Sequence, residues 1–185
     1  MAFNNVEEVQ HWPPKRIDDK RYDFSHLNAQ RISYSVPATK DDPKKEYDVI
    51  ITYSHHVFAK NILEMDDAER QRRMYYYHGE ALRPVHDERY ELSRKLPNII
   101  EDLLATKCLH GAKDSFFVVE LVGTATKQAE PYEVYFEMFK EMKKLRMHIK
   151  TAFVRRKRSQ EKAQKIQFAT ILKKTLANQK VKRPK

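Results

Sequence analysis

The sequence predicts an α+β fold on three observations: alternating strand patterns in its first third, a central stripe of Leu and Ile at helical spacing, and strand-length apolar runs in its second half. In chain order these give an N-terminal β-hairpin, a central helix, an antiparallel β-meander and a C-terminal helix. A chain of 185 residues suffices for one domain with a sizeable core, and is short for two full ones.

The elements follow one by one. Residues 1–20 read as a flexible leader, with Trp12-Pro13-Pro14 as the part able to dock on the body. Arg31 to Val36 reads as a short strand, and Pro37 to Lys45 as a polar turn with two prolines. Tyr47, Val49, Ile51 and Tyr53 then alternate with Asp48, Ile50, Thr52 and Ser54, which suits a half-buried strand pairing with the first. From Asn61 to about Tyr77 the pattern is helical or irregular, with Asp66 and Asp67 ahead of an Arg-rich stretch, as the helix macrodipole favours. Leu92, Leu96, Ile99, Ile100, Leu103 and Leu104 then form one apolar stripe, interrupted by Pro97. The preferred reading is one helix with Ser93 as N-cap and Pro97 in its first turn. The alternative is two helical pieces meeting at a kink.

Ser115 to Val122 is a near-continuous apolar run that reads as a central strand. In Tyr132 to Phe139, Tyr132, Val134, Phe136 and Met138 share one face, with Glu133, Tyr135 and Glu137 on the other. Leu145 to Val154 places Leu145, Met147, Ile149, Thr151 and Phe153 on one face and Arg146, His148 and Lys150 on the opposite one. Short polar connections favour an antiparallel meander. Ile166 to Leu176 reads as a helix packing back on the sheet. Residues 21–176 are expected to form a single domain, and 177–185 a basic tail.

Charge is segregated. Lys143–Lys185 holds sixteen Lys or Arg and a single acid, Glu161, while the preceding 142 residues hold 20 bases and 25 acids. A one-signed segment builds a field that attracts polyanions, so nucleic acid, RNA ahead of DNA, is the expected partner. Cys108 is the only cysteine, which rules out an internal disulfide; at the end of an apolar helix it is expected to be a buried thiol. The first residues carry neither a basic start nor an apolar run, and no stretch has transmembrane length. The expected setting is the cytoplasm, with no membrane partner.

The three glycines, Gly79, Gly111 and Gly123, form no phosphate-cradling motif, and there is no GxSxG or HExxH. No cofactor or metal site is expected. Arg146 and Lys150 project from one strand face that leads into Arg155, Arg156, Lys157 and Arg158, and spacing two along a strand is about 7 Å, near the phosphate spacing of a single strand. Tyr135 on the neighbouring strand is placed to stack. The bland alternative is that Glu133 and Glu137 pair with these bases across the sheet. Cleaving RNA without metal needs a base, an acid and a cation on the phosphate. His55, His56, His78 and His148 are the candidates for proton transfer, and Arg94, Arg146 or Arg155 for the cation. Tyr90 and Arg94 share a helix face able to line a pocket, although a structural role is the simpler one.

Arg89 to Ile100, and Tyr132 to Phe136 with Leu145 to Arg155, resemble a family of uncharacterised bacterial proteins often seen on prophages and other mobile elements. The likeness spans about residues 45–183 and implies no particular activity. The order helix then basic meander is also similar in outline to metal-independent ribonuclease toxins of the RelE, colicin and barnase-like group, an architectural likeness only. The resulting expectation is a nucleic-acid-binding protein of bacterial or phage origin, in one form a metal-independent RNase-type toxin or defence effector. The alternative is a non-enzymatic interaction or inhibitor protein that binds an acidic protein partner.

Overall fold

A computed structural model of the chain describes residues 10–40, 42–110, 116–121, 131–155 and 165–181. The expected α+β class holds. Its centre is a seven-stranded sheet of β3 (Gln30–Val36), β4 (Lys45–Tyr53), β7 (Lys107–His110), β8 (Phe116–Leu121), β9 (Tyr132–Glu141), β10 (Lys144–Val154) and β11 (Lys165–Gln167), in the order β11-β7-β8-β9-β10-β4-β3. β3 and β4 pair antiparallel as the N-terminal hairpin, and β7 to β10 form the antiparallel meander. The two meet where β10 runs parallel to β4, with Leu145 opposite Val49 and Ile149 opposite Tyr53.

One face of this sheet is covered by α3 (Leu96–Glu101) and α4 (Phe168–Leu176). Alternation puts Val49, Ile51, Val134, Phe136, Met147 and Ile149 into that layer, all nearly inaccessible. Phe168 closes it with edge contacts to Tyr34 and Phe136, and the Tyr34 hydroxyl donates to the Ile100 carbonyl at 2.7 Å. Because the buried face is apolar throughout, slipping the register by one residue would expose it.

Several expectations need correction. The central stripe is two helices, α2 (Asp87–Ser93) and α3, with Pro97 in the first turn of the second. Ser93 is not an N-cap; it is a buried residue of α2 whose hydroxyl donates to the Tyr90 carbonyl. The N-cap of α2 is His86, whose ring accepts from the Arg89 amide. Pro97 carries no N–H to bond a preceding turn and its ring would clash with one, so the stripe breaks there and a new helix starts, as the alternative of two helical pieces held. Residues 61–77 hold α1 (Asp67–Arg73), capped by Asp66, and then β5 (Met74–Tyr77), which pairs with β6 (Glu80–Pro84) through a His78-Gly79 turn in which both φ angles are positive. Cys108 is buried, but on β7.

Thr151 and Phe153 also change faces. The β9–β10 register shifts between Ile149 and Thr151, leaving Lys150 as the extra residue of a bulge. Beyond it Ala152 is buried, and Thr151 and Phe153 stand on the outer face with Arg146 and His148.

The expected leader is structured from residue 10, and residues 1–9 lie outside the described ones. β1 (Lys15–Ile17) pairs with β2 (Lys20–Tyr22), and the Gln10 side chain bonds both backbone groups of Tyr53 at 2.8 Å. Trp12 is 3% exposed and packs its ring against Phe58, Tyr75 and Tyr77. At the other end, Val181 is buried and its carbonyl accepts from His110 at 2.6 Å, so the expected tail is anchored up to that point; residues 182–185 lie outside the described ones. Among the described residues no helix is long and apolar enough to cross a membrane.

The packing of Trp12 yields a direct test. Trp12→Ala should cost roughly 3–5 kcal/mol, and lower Tm by about 10 °C, in thermal unfolding followed by circular dichroism. An unpacked leader would leave Tm unchanged.

Candidate functional site

The parallel contact between β4 and β10 assembles the site. It sets His148 opposite Thr52, and the His148 Nδ1 lies 2.9 Å from the Thr52 hydroxyl. One residue past β4, the Ser54 amide donates to the Ile149 carbonyl at 2.8 Å. The chain then closes into a 3-10 turn over His55–Val57, in which the Ser54 hydroxyl accepts from the His56 amide. His55 and His56 are therefore not on a strand with opposed side chains. Their rings lie side by side, with centroids 4.1 Å apart. Lys150, pushed out at the bulge, is close enough to act electrostatically on both His56 and His148. His55, His56, His148 and Lys150, scattered in sequence, thus share one region of the outer sheet face.

Arg89 braces this region from α2. Its Nη1 donates to the carbonyls of His56 at 2.6 Å and Ala59 at 3.1 Å, and its guanidinium lies 5.9 Å from the centre of the Phe153 ring. The Thr151 hydroxyl makes a long contact of 3.5 Å to the same His56 carbonyl. Burial, then His56 and Arg83, pushes the pKa of His55 down to about 4. Burial also lowers His56, helped by Arg83, Arg89 and Lys150, and lowers His148, helped by Lys150 and opposed by Glu137. Each of these shifts favours the neutral imidazole. The site is a group of neutral donors and acceptors ringed by permanent cations.

The bases of the outer face are largely matched by acids of β9. Arg146 pairs with Glu141, Lys150 with Glu137 at 3.3 Å, and Arg155 with Glu133 at 2.8 Å. This is the pairing set out above as the bland alternative, extended by Glu141. Tyr135 takes part in it: its hydroxyl donates to Glu133 at 2.7 Å and accepts from Arg155 at 3.1 Å, while its ring stacks on Phe153 with centroids 5.4 Å apart. Arg156, Lys157 and Arg158 lie outside the described residues.

Arg94 is not brought to the histidines. It caps the end of α2, pairs with Glu91 at 3.7 Å and is 64% exposed, with His26 as its neighbour. Tyr90 does not share a pocket with it; its ring is buried against Tyr22 and Phe24, and its hydroxyl bonds the Asp23 backbone. His26 Nε2 lies 2.9 Å from the Ser93 hydroxyl, yet Ser93 is fully buried, which leaves it no access to a substrate. Sequence reasoning missed Lys60, Arg83, His86, Arg89 and Phe153. The signal available for two of them was the spacing of three that puts His86, Arg89 and Leu92 on one helix face. Among the described residues no group of three or more His, Cys, Asp and Glu is arranged to hold a metal ion.

The lowered His55 pKa has a definite sign. Between about pH 6.5 and 4 the unfolded chain binds a proton at His55 that the folded chain refuses, so stability is full above 6.5 and falls with pH across that window. Thermal unfolding from pH 7 to pH 5 should show Tm decreasing, and His55→Asn should reduce that decrease by a few degrees. Parallel pH profiles for the two proteins would refute the buried neutral imidazole.

No solved structure matches the chain significantly. It is 31% identical over 180 residues to Protein YjaZ of Escherichia coli (strain K12), a match covering 96% of this chain and 98% of that protein. The YjaZ family model matches residues 14–176, a region that starts ahead of the resemblance noted from residue 45 and takes in the β1–β2 hairpin, the histidine turn and the whole sheet. The chain belongs to the YjaZ family.

Proposed function

We propose that this protein binds nucleic acid, single-stranded RNA ahead of DNA, on the outer face of β4 and β10. The observation that carries this reading is the convergence of His55, His56 and His148 with Arg83, Arg89 and Lys150. Single strands are held by a cationic groove that follows the backbone and by rings on which bases stack. Arg83 acts electrostatically on both His55 and His56, which places its guanidinium to meet a phosphate there. The Arg146–Lys150 row contributes less, because Glu141 and Glu137 already offset its charge.

The same geometry bears on cleavage. A metal-independent ribonuclease needs a base to take the 2′-hydroxyl proton and a protonated acid to supply the leaving oxygen. Burial and the nearby cations lower the pKa of His55, His56 and His148, which disfavours the protonated form that would act as the acid. Binding is therefore favoured over a toxin or effector that cuts RNA. A bacterial prophage or mobile-element setting belongs to this proposal as well.

Fluorescence anisotropy with labelled single-stranded RNA and duplex DNA, in EDTA at about 50 and 200 mM salt, tests the reading. RNA should bind and weaken at least tenfold over that rise, with no cleavage. Arg83→Ala should flatten the salt slope by about one, Lys150→Ala should flatten it by less, and Arg94→Ala should leave it unchanged. Cleavage in EDTA that His56→Ala abolishes would replace binding with ribonuclease activity. An absence of any shift at low salt would sink the reading and leave the acidic protein partner in its place.

A further inference from the structure

Beside that groove, a cleft of about 430 Å³ opens between α2 and the end of β10. This volume falls within the roughly 300–1,000 Å³ typical of small-molecule sites. Leu92, Phe153 and Val154 give it an apolar floor. Arg155 and Arg89 form cationic walls, and Lys60 stands exposed at the rim.

Three features make this a built site. Arg155 is fixed in place: fully buried Glu133 holds its Nε and the Tyr135 hydroxyl holds its Nη2, so its position is set before any ligand arrives. His86 is fixed too. Its Nδ1 accepts from the Arg89 amide, and burial together with Lys60 favours the neutral ring, which puts the ring proton on Nε2 as a donor. Phe153 is on this side of the sheet only because the bulge at Lys150 turned it outward.

From these we infer that the cleft takes a mononucleotide. The base lies against Leu92, Val154 and the edge of Phe153, whose ring already meets Tyr135 and Arg89; the phosphate is bound by exposed Lys60 with ion-paired Arg155 as a second donor, and a ribose hydroxyl donates to the Glu88 carboxylate. An apolar floor needs a ring, the cations need an anion, and Glu88 disfavours an anion placed against it, so the ligand must separate its charged end from its hydroxyl-bearing middle. The choice of a nucleotide over other ring-bearing anions rests on the nucleic-acid reading above. Lys60 lies off the outer face of β4 and β10, which lets the two be tested apart.

Isothermal titration of the full chain at low salt, with AMP, UMP, adenosine, phenyl phosphate and inorganic phosphate as probes, decides it. AMP or UMP should bind, while adenosine, phenyl phosphate and inorganic phosphate bind at least tenfold more weakly. Phe153→Ala and Lys60→Ala should each weaken the nucleotide about tenfold, and Lys60→Ala should leave anisotropy with single-stranded RNA within about twofold of the parent. Lys60 is exposed, so its variant keeps the test valid should Phe153→Ala fail to fold. Inorganic phosphate binding as well as AMP would overturn the inference in favour of a bare cationic patch, and phenyl phosphate doing so would overturn the nucleotide assignment. Nucleotide binding that ignores both substitutions would place the ligand elsewhere and overturn it as well. A loss of RNA binding alone, with AMP still bound, would count against the groove and support the cleft.

Discussion

Five residues of β4 lie parallel to β10, from Val49 opposite Leu145 to Tyr53 opposite Ile149, and this contact joins parts of the chain that are remote in sequence. Parallel neighbours cannot be linked by a tight turn, so everything between them in the chain has to be carried over the sheet and back. The entropy of closing so long a loop grows only slowly with its length, and the apolar layer shared by the two strands compensates it. From that pairing follow the Thr52–His148 contact, the bond from the Ser54 amide to Ile149, and the position of the His55–Val57 turn beside Lys150. Without it the three histidines would have no common surface.

The aromatic cluster of the N-terminal half orients the other wall of the site. Tyr90 is wedged among Tyr22 and Phe24, and Phe24 in turn meets Phe58 and Tyr75. Tyr22 and Lys20 of the β1–β2 hairpin also bond Asp87, which pairs with Arg73 from α1. These contacts hold one face of α2 against the core, and helical geometry then turns His86 and Arg89 toward the sheet. Arg89 completes the link by bonding two carbonyls of the histidine turn. The site is thus held from both sides by packing that is itself remote from the chemistry.

Electrostatically the outer face is more balanced than its composition suggests. Glu141, Glu137 and Glu133 recur at spacings of four along β9, each meeting a base of β10 or the residue after it. Glu133 is fully buried, and a carboxylate without its partner there would carry a large desolvation cost. Its pairing with Arg155 and Tyr135 is therefore strongly determined, whereas the more exposed Lys150–Glu137 pair is worth little.

Local pattern alone was enough to determine the α+β class, the β3–β4 hairpin, the meander and the buried faces of most strands, because a period of two in Tyr47 to Tyr53 or Tyr132 to Met138 depends only on which face is apolar. It also offered, as the alternative to nucleic-acid contact, the pairing of Glu133 and Glu137 with bases, since antiparallel neighbours follow from short connections. It could not reach the parallel β4–β10 contact, the bulge at Lys150 or the β1–β2 hairpin within the expected leader. Each of these is settled by burial against residues far away in the chain, which leaves no periodic trace in the segment itself. For the same reason the histidines were legible as candidates but their grouping was not. Arg94 carries the right chemistry in the wrong place. Which side chains share a surface is decided by tertiary packing, because proximity in space arises from sheet order and helix docking, and neither is written in any one stretch of sequence.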